Sequence, residues 1–229
     1  MSVYDRIWDR KLMGVQTDPL SDPGSRWAAA SGLVPIGNRL LDIGVGDGGF
    51  AECMKPRVSE VFGIDVSPIA VQSARRRGIE AFVCDLDREA SPFPDRHFDV
   101  ITCLDVIEHV LDPRKLLLEI SRLATPGGVV VVSTVNIRCV KYLHSVVLRG
   151  RFPRTSGDEE AYDGGHLHYF TTGDLRALLS GVGLVTTHAQ GMIASRSLGF
   201  LRPWAACGPV REFLSAGIVV RARRAGALT

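Results

Sequence analysis

Residues 40–50, Leu-Leu-Asp-Ile-Gly-Val-Gly-Asp-Gly-Gly-Phe, constrain this chain more than any other stretch, because an apolar run ends in an aspartate and passes straight into a glycine-rich turn. Gly44, Gly46 and Gly48 carry no β-carbon, so the main chain there can adopt left-handed angles and a ligand can lie directly against it. A strand feeding such a loop is the local signature of a nucleotide-type cofactor site in an α/β sheet.

The ligand follows from charge. By spacing alone, Gly44, Gly46 and Gly49 satisfy G-x-G-x-x-G, and Asp65 lies about 20 residues on, where a dinucleotide fingerprint places its ribose-binding acid. Asp42 opposes that reading. Its carboxylate sits just before the first glycine and would face the anionic pyrophosphate that such a loop holds at a helix N-terminus. A cation suits the position better. S-adenosylmethionine carries an ammonium and a sulfonium and no phosphate, and its ribose still calls for an acid such as Asp65.

Beyond the loop, strand-like runs alternate with helical patterns, which argues for a parallel sheet wrapped by helices. Residues 39–43, 61–64, 81–84 and 98–104 read as the first four strands, and the unbroken valine run 129–132 as a strand buried on both faces. A helix is expected from Asp47 to about Lys55, where Pro56 stops it. Ser67-Pro68 and Asp112-Pro113 each place a capping side chain before a proline at the first helical position. Leu116, Leu117, Ile120 and Leu123 then share one helix face. Thr171 and Asp174 nearly match a capping box, and Leu175, Leu178 and Leu179 carry that helix to Gly181. Residues 184–188 and 218–221 look like closing strands; residues 191–214 resist assignment. Between 137 and 170 the alternation lapses. Val140, Leu143, Val146 and Val147 form a helical apolar stripe, and a polar, glycine-containing stretch leads to His166-Leu167-His168-Tyr169-Phe170, an expected insertion over the site.

Several segments together resemble the class I S-adenosylmethionine-dependent methyltransferases, especially the small-molecule group that includes quinone-biosynthesis O-methyltransferases. They are Leu41 through Gly48, Gly63-Ile64-Asp65-Val66-Ser67, Cys84-Asp85-Leu86, Phe98-Asp99-Val100-Ile101, Val106-Ile107-Glu108-His109-Val110, and Leu123 through Gly128 leading into the valine strand. The likeness spans residues 39–184. It implies an α/β fold: one domain with a doubly wound, mostly parallel seven-stranded sheet and a small lid insertion. Residues 1–36 would be a helical cover, 37–136 the cofactor-binding core, 137–170 the lid, and 171–229 the last helix and closing strands. The resemblance also implies cofactor contacts: Asp42 with Gly44, Gly46 and Gly48 at the methionine portion, Asp65 and the adjoining Val66 at the ribose, and Asp85 with Leu86 at the adenine. Leu104 and Asp105 would line the methionine side, although Asp105 can equally cap the next turn. Tyr4 and Trp8, on one side of a leading helix, either cover the sulfonium or pack on the sheet.

Methyl transfer needs mainly orientation and exclusion of water, because the sulfonium already activates the methyl group. A hydroxyl acceptor benefits from a base, and histidine is the natural one. His109 and His166 are the candidates, each with packing as its alternative. His166-x-His168 has metal-type spacing, but no carboxylate or cysteine partner is evident, so no metal is expected. Arg149, Arg151 and Arg154 either meet an acidic acceptor or are solvated.

At 229 residues and 45% hydrophobic content the chain can bury one sizeable core. A net charge of +2 is too mild to demand nucleic acid, and the turn that grips base amino groups, Asn/Asp-Pro-Pro-Tyr-like, is absent after the fourth strand. The five cysteines are odd in number and lack metal-type spacing, reading as reduced thiols of a cytoplasmic protein. No window approaches a membrane span. The expected activity is methylation of a small-molecule acceptor, at oxygen first and at nitrogen or carbon next. A NAD-linked oxidoreductase and a non-catalytic cofactor-binding protein are the rivals; the first requires nicotinamide binding, the second the absence of turnover.

Overall fold

In the computed structural model, which describes residues 3–13, 20, 22–156, 161–193 and 196–225, the valine run is the centre of the architecture. The strands are β1 (Gly37–Ile43), β2 (Val58–Asp65), β3 (Glu80–Val83), β4 (Phe98–Leu104), β5 (Ala124–Val135), β6 (Leu184–Met192) and β7 (Gly217–Arg224). They form one sheet in the order β3-β2-β1-β4-β5-β7-β6. The pairs from β3 through β5 are parallel, and β7 runs antiparallel to both β5 and β6. Chain order reverses between β1 and β4, the switch point at which open α/β sheets leave a crevice.

The helices are α1 (Val3–Met13), α2 (Arg26–Ser31), α3 (Gly49–Met54), α4 (Pro68–Arg76), α5 (Pro113–Leu123), α6 (Val140–Arg149) and α7 (Thr172–Ser180). Period-two alternation in β5 divides the core. Val130 and Val132 pack with Leu116, Leu117, Ile120, Leu175 and Leu179 from α5 and α7. Val129 and Val131 pack on the other face with Ala30 of α2 and Phe50 and Met54 of α3. Burial on both faces explains why this strand reads as continuous valine.

The caps are made as spaced. The Ser67 hydroxyl accepts from the Ala70 amide, Asp112 accepts from Arg114 and Lys115, and Thr171 and Asp174 close a full capping box. Three expectations change. Helix α3 starts at Gly49 instead of Asp47, because Gly44, Gly46 and Gly48 all hold positive φ and keep the chain out of helix until the last of them. Residues 191–214 contain the end of β6, a 3-10 stretch at Arg196–Trp204 and a π-helical turn at Val210–Leu214. The turn is pinned by Asn136, whose amide donates to the carbonyls of Arg211, Glu212 and Ser215. Finally, the apolar stripe of α6 faces outward: Val140, Leu143, Val146 and Val147 are all exposed, and Tyr142 is the buried residue of the helix.

Gly48 has φ +83°, and a β-carbon there would lie 2.9 Å from the Ala74 α-carbon of α4; Gly127 has φ +78° with nothing within 4 Å. Gly127→Ala should therefore cost only the left-handed penalty, about 1–2 kcal/mol. Gly48→Ala should cost measurably more in urea denaturation; equal losses would show that α3 and α4 yield freely.

Candidate functional site

Six carboxylates and one guanidinium line a cavity of about 280 Å³ over the carboxyl ends of β1, β2 and β4. The acids are Asp42, Asp47, Asp65, Asp85, Asp87 and Asp105; the cation is Arg26. Gly44, Gly46, Val66, Leu86, Leu104, Trp8 and His109 also line it, so sequence-distant candidates meet in one place. Gly48 and His166 are not in the lining. For Gly48 the reason is its packing against α4; the loop presents only Gly44 and Gly46 to the cavity.

Asp42 is buried, and its Oδ1 accepts from the Thr102 hydroxyl at 2.6 Å. Burial pushes its carboxyl up to about 7; the Thr102 bond opposes this, the Asp65 carboxylate reinforces it and Arg26 opposes it. The group is thus a latent anion beneath the glycine loop. Asp65 is also buried, and both its oxygens are engaged: Oδ2 accepts from the Gly46 amide at 3.0 Å and Oδ1 from the Ser67 amide at 2.9 Å. Burial raises its pKa while the amides of Ser67, Gly46 and Val66 lower it. A strand-end acid is expected to have few structural duties. Here it has two, because it ties the loop after β1 to the helix start after β2. The Tyr4 phenol, raised by burial and then by Asp87, Asp65, Asp85 and Glu108, registers the same negative field.

On the other wall, Asp105 holds φ +54°, rare for a residue with a β-carbon. Its Oδ2 pairs with Arg26 at 2.8 Å and its Oδ1 accepts from the Ser133 hydroxyl at 2.6 Å. It faces the cavity while bridging α2 to β5. Arg26 carries no motif and reaches the cavity through this pairing, with its guanidinium over the Trp27 ring, so sequence reasoning passed it over. Asp85 pairs with Arg88 at 3.2 Å, and Asp87 beside it accepts from the Leu111 amide. The Trp8 ring lies against Gly46, where a β-carbon would come within 2.3 Å of it, and Asp5 accepts from the Ser67 hydroxyl. Helix α1 therefore closes the loop side.

Residues after β4 meet those that precede α7 beside this cavity. The Glu108 carbonyl accepts from the amides of Leu167 and His168, which brings His166 beside His109 with ring centroids 4.7 Å apart. His109 Nδ1 lies 3.3 Å from the Gly165 carbonyl; a carbonyl only accepts, so Nδ1 carries the proton and Nε2 is the basic nitrogen. His166 is oriented by Asp163, a buried residue at φ +49° that accepts from the hydroxyls of Thr155 and Tyr169 and from the amide of Ser156. The Thr155 oxygen, having donated to Asp163, receives His166 Nδ1 at 2.8 Å. Glu108 is fully buried; Thr134 donates to its Oε2, and its Oε1 has no hydrogen-bond partner among the described residues. Burial and then Asp105 raise its pKa well above the usual carboxylate range.

The expectation of no metal rested on the lack of a carboxylate near the histidines of the lid. Glu108 supplies one across the fold: ligand atoms of Glu108, His109 and His166 lie within 4.8 Å of one another, a donor set that suits a divalent ion. His168 is not part of this group.

A sequence profile described as a methyltransferase domain matches residues 19–189. The chain belongs to this methyltransferase family. The ubiquinone biosynthesis O-methyltransferase of Aeromonas salmonicida is 32% identical over 201 residues, covering 83% of this chain and 81% of that protein. The protein of the same name from Alkalilimnicola ehrlichii is 40% identical over 116 residues, and there the chain spans about half of its relative, 47%. Among solved structures, an S-adenosylmethionine-dependent methyltransferase from Thermotoga maritima, described as a possible histamine N-methyltransferase, superposes with a TM-score of 0.69. That match covers 97% of this chain and 98% of that one at 21% identity, and shows the shared fold. These relations set the oxidoreductase reading aside.

Because the folded pKa of Asp42 is about 7 against an ordinary 3.8, the folded methyltransferase keeps this proton while the unfolded chain loses it. The group's contribution to stability is present below the ordinary value and lost as pH rises toward 7. Asp42→Asn should therefore stabilise the ligand-free protein above pH 7 relative to its effect near pH 4, read by denaturant unfolding. A pH-independent difference would count against a buried, proton-holding Asp42.

Proposed function

We propose that this methyltransferase transfers the methyl group of S-adenosylmethionine to an oxygen of a small phenolic acceptor, in the biosynthesis of a quinone-type cofactor. The observation that carries the cofactor half is the cavity's charge: carboxylates outnumber the single guanidinium six to one, which repels a diphosphate and welcomes an ammonium and a sulfonium. The acceptor half rests on relatives that bear the ubiquinone biosynthesis O-methyltransferase name.

In this reading S-adenosylmethionine supplies a methyl group already activated on sulfur. Asp42, ionised once a cation sits over it, and the close backbone approach that Gly44 and Gly46 allow hold the methionine end. Arg26 is the cationic side chain available to its carboxylate. Asp65 retains acceptor capacity for ribose hydroxyls, because each carboxylate oxygen has more lone-pair sites than one amide bond uses. Asp85 and Leu86 take the adenine edge, and Trp8 with Val66 excludes water. His109 Nε2 takes the acceptor's hydroxyl proton while Nδ1 stays on the Gly165 carbonyl. His166, held by Thr155 and Asp163, orients the acceptor.

A second reading is favoured by the orphaned Glu108 Oε1: Glu108, His109 and His166 would hold a divalent cation, which would supply Lewis-acid polarisation of the acceptor oxygen in place of a free base. Dialysis against a chelator separates the two, because it abolishes turnover only in the second, and added metal restores it.

Calorimetry with S-adenosylmethionine should give a dissociation constant that rises as pH falls below about 7, where Asp42 must first lose its proton. Asp65→Ala should weaken binding at least about tenfold, about 1.4 kcal/mol. His109→Ala should lower turnover with a catechol-type acceptor by about 100-fold or more at unchanged cofactor affinity. Cofactor binding with no methyl transfer to any oxygen, nitrogen or carbon acceptor would mark a non-catalytic binder instead.

A further inference from the structure

Tyr4 stands in the wall of the cavity, and neither the glycine loop nor the strand-end acids account for it. Its spacing from Trp8 suggested a cover for the sulfonium or packing on the sheet. The ring instead meets the His109 imidazole, with centroids 6.0 Å apart and planes at 84°. The same imidazole meets His166 at 4.7 Å and 70°. Near-perpendicular ring pairs at such separations attract, positive edge against negative face. The Gly165 carbonyl decides which nitrogen of His109 holds the proton, and the neighbouring rings set the plane of the imidazole. That plane decides where the basic Nε2 points.

Tyr4 is carried by α1, and α1 is seated on the donor loop. Trp8, about one helical turn further on, lies against Gly46, and Asp5 accepts from the Ser67 hydroxyl at 2.7 Å. Gly46 and Ser67 are residues whose amides Asp65 receives. A single turn of helix therefore joins the Asp65 contacts to the imidazole. Burial and the surrounding acids raise the Tyr4 phenol, so it keeps its proton and is not a second base. What it brings to His109 is the ring.

We propose that Tyr4 is a positioning residue for methyl transfer: its ring, carried on α1 from the donor loop, holds the His109 imidazole with Nε2 turned toward the acceptor. This role rests on His109 as the group that takes the acceptor's proton. It adds that the base is aligned only while α1 is seated on the loop, so one helix serves both halves of the reaction. Trp8 serves the donor and Tyr4 the base. Their substitutions should separate accordingly.

The test uses the full chain in steady-state kinetics with a catechol-type acceptor, calorimetry of S-adenosylmethionine binding, and proton NMR of the imidazole signals. Tyr4→Ala should lower kcat about tenfold and leave the donor's dissociation constant within about twofold of the parent's, whereas Trp8→Ala should raise that constant. Tyr4→Phe should keep the parent's kcat, because the ring is retained. The His109 ring protons, assigned by their loss in His109→Ala, should shift in Tyr4→Ala and stay in place in Tyr4→Phe. Adding Tyr4→Ala to His109→Ala should slow the enzyme no further, as expected when one residue acts through the other. The proposal fails if Tyr4→Phe is as slow as Tyr4→Ala, which would give the role to the hydroxyl. It fails if donor affinity falls as far as turnover, which would make Tyr4 a cover for the donor alone. It fails too if Tyr4→Ala turns over like the parent while His109→Ala does not. Should His109→Ala itself turn over like the parent, the base assignment is what has failed, and the role of Tyr4 falls with it.

Discussion

The Asp65 carboxylate is the joint on which this site turns. One oxygen takes the Gly46 amide and the other the Ser67 amide, so a single side chain fixes the loop after β1 and the start of α4 relative to the end of β2. Its burial makes ionisation costly, and the amides offset that cost; bonds to a charged acceptor are the strong kind. Asp42 lies in the same floor without such amides, held by one hydroxyl, and its carboxyl rises to about 7. Two aspartates of similar burial therefore differ in what they can still do. Asp65 is largely committed to shaping the loop, whereas Asp42 holds unmet demand for a cation.

Much of the cavity lining was legible from sequence because its cues are local. Gly44, Gly46, the strand-end acids and the Ser-Pro and Asp-Pro caps are each marked by residues a few positions apart, and the structure gathers these glycines and acids at one cavity and makes the caps as spaced. Arg26 was not legible, since it enters through one long side chain reaching Asp105, 79 residues away in the chain. The packing of Gly48 was not legible for a related reason: its neighbour is Ala74 of α4, and the motif alone does not say whether a glycine serves a ligand or a helix.

The acceptor half shows the limit more sharply. The histidines looked unpartnered because their carboxylate, Glu108, follows β4, whereas His166 belongs to a segment entered some 30 residues after that strand's neighbour β5 begins to leave the sheet. The contacts joining them are backbone bonds from Leu167 and His168 to the Glu108 carbonyl, which any residue type can make and no pattern announces. At α6 the apolar stripe marked the helix, but not that the stripe would turn outward.

Those same backbone bonds have an evolutionary consequence. A segment fastened through the main-chain amides of Leu167 and His168 asks little of the side chains at those two positions. Residues there can be exchanged with the fastening intact, so a descendant can alter this side of the molecule while inheriting the glycine loop and its aspartates unaltered.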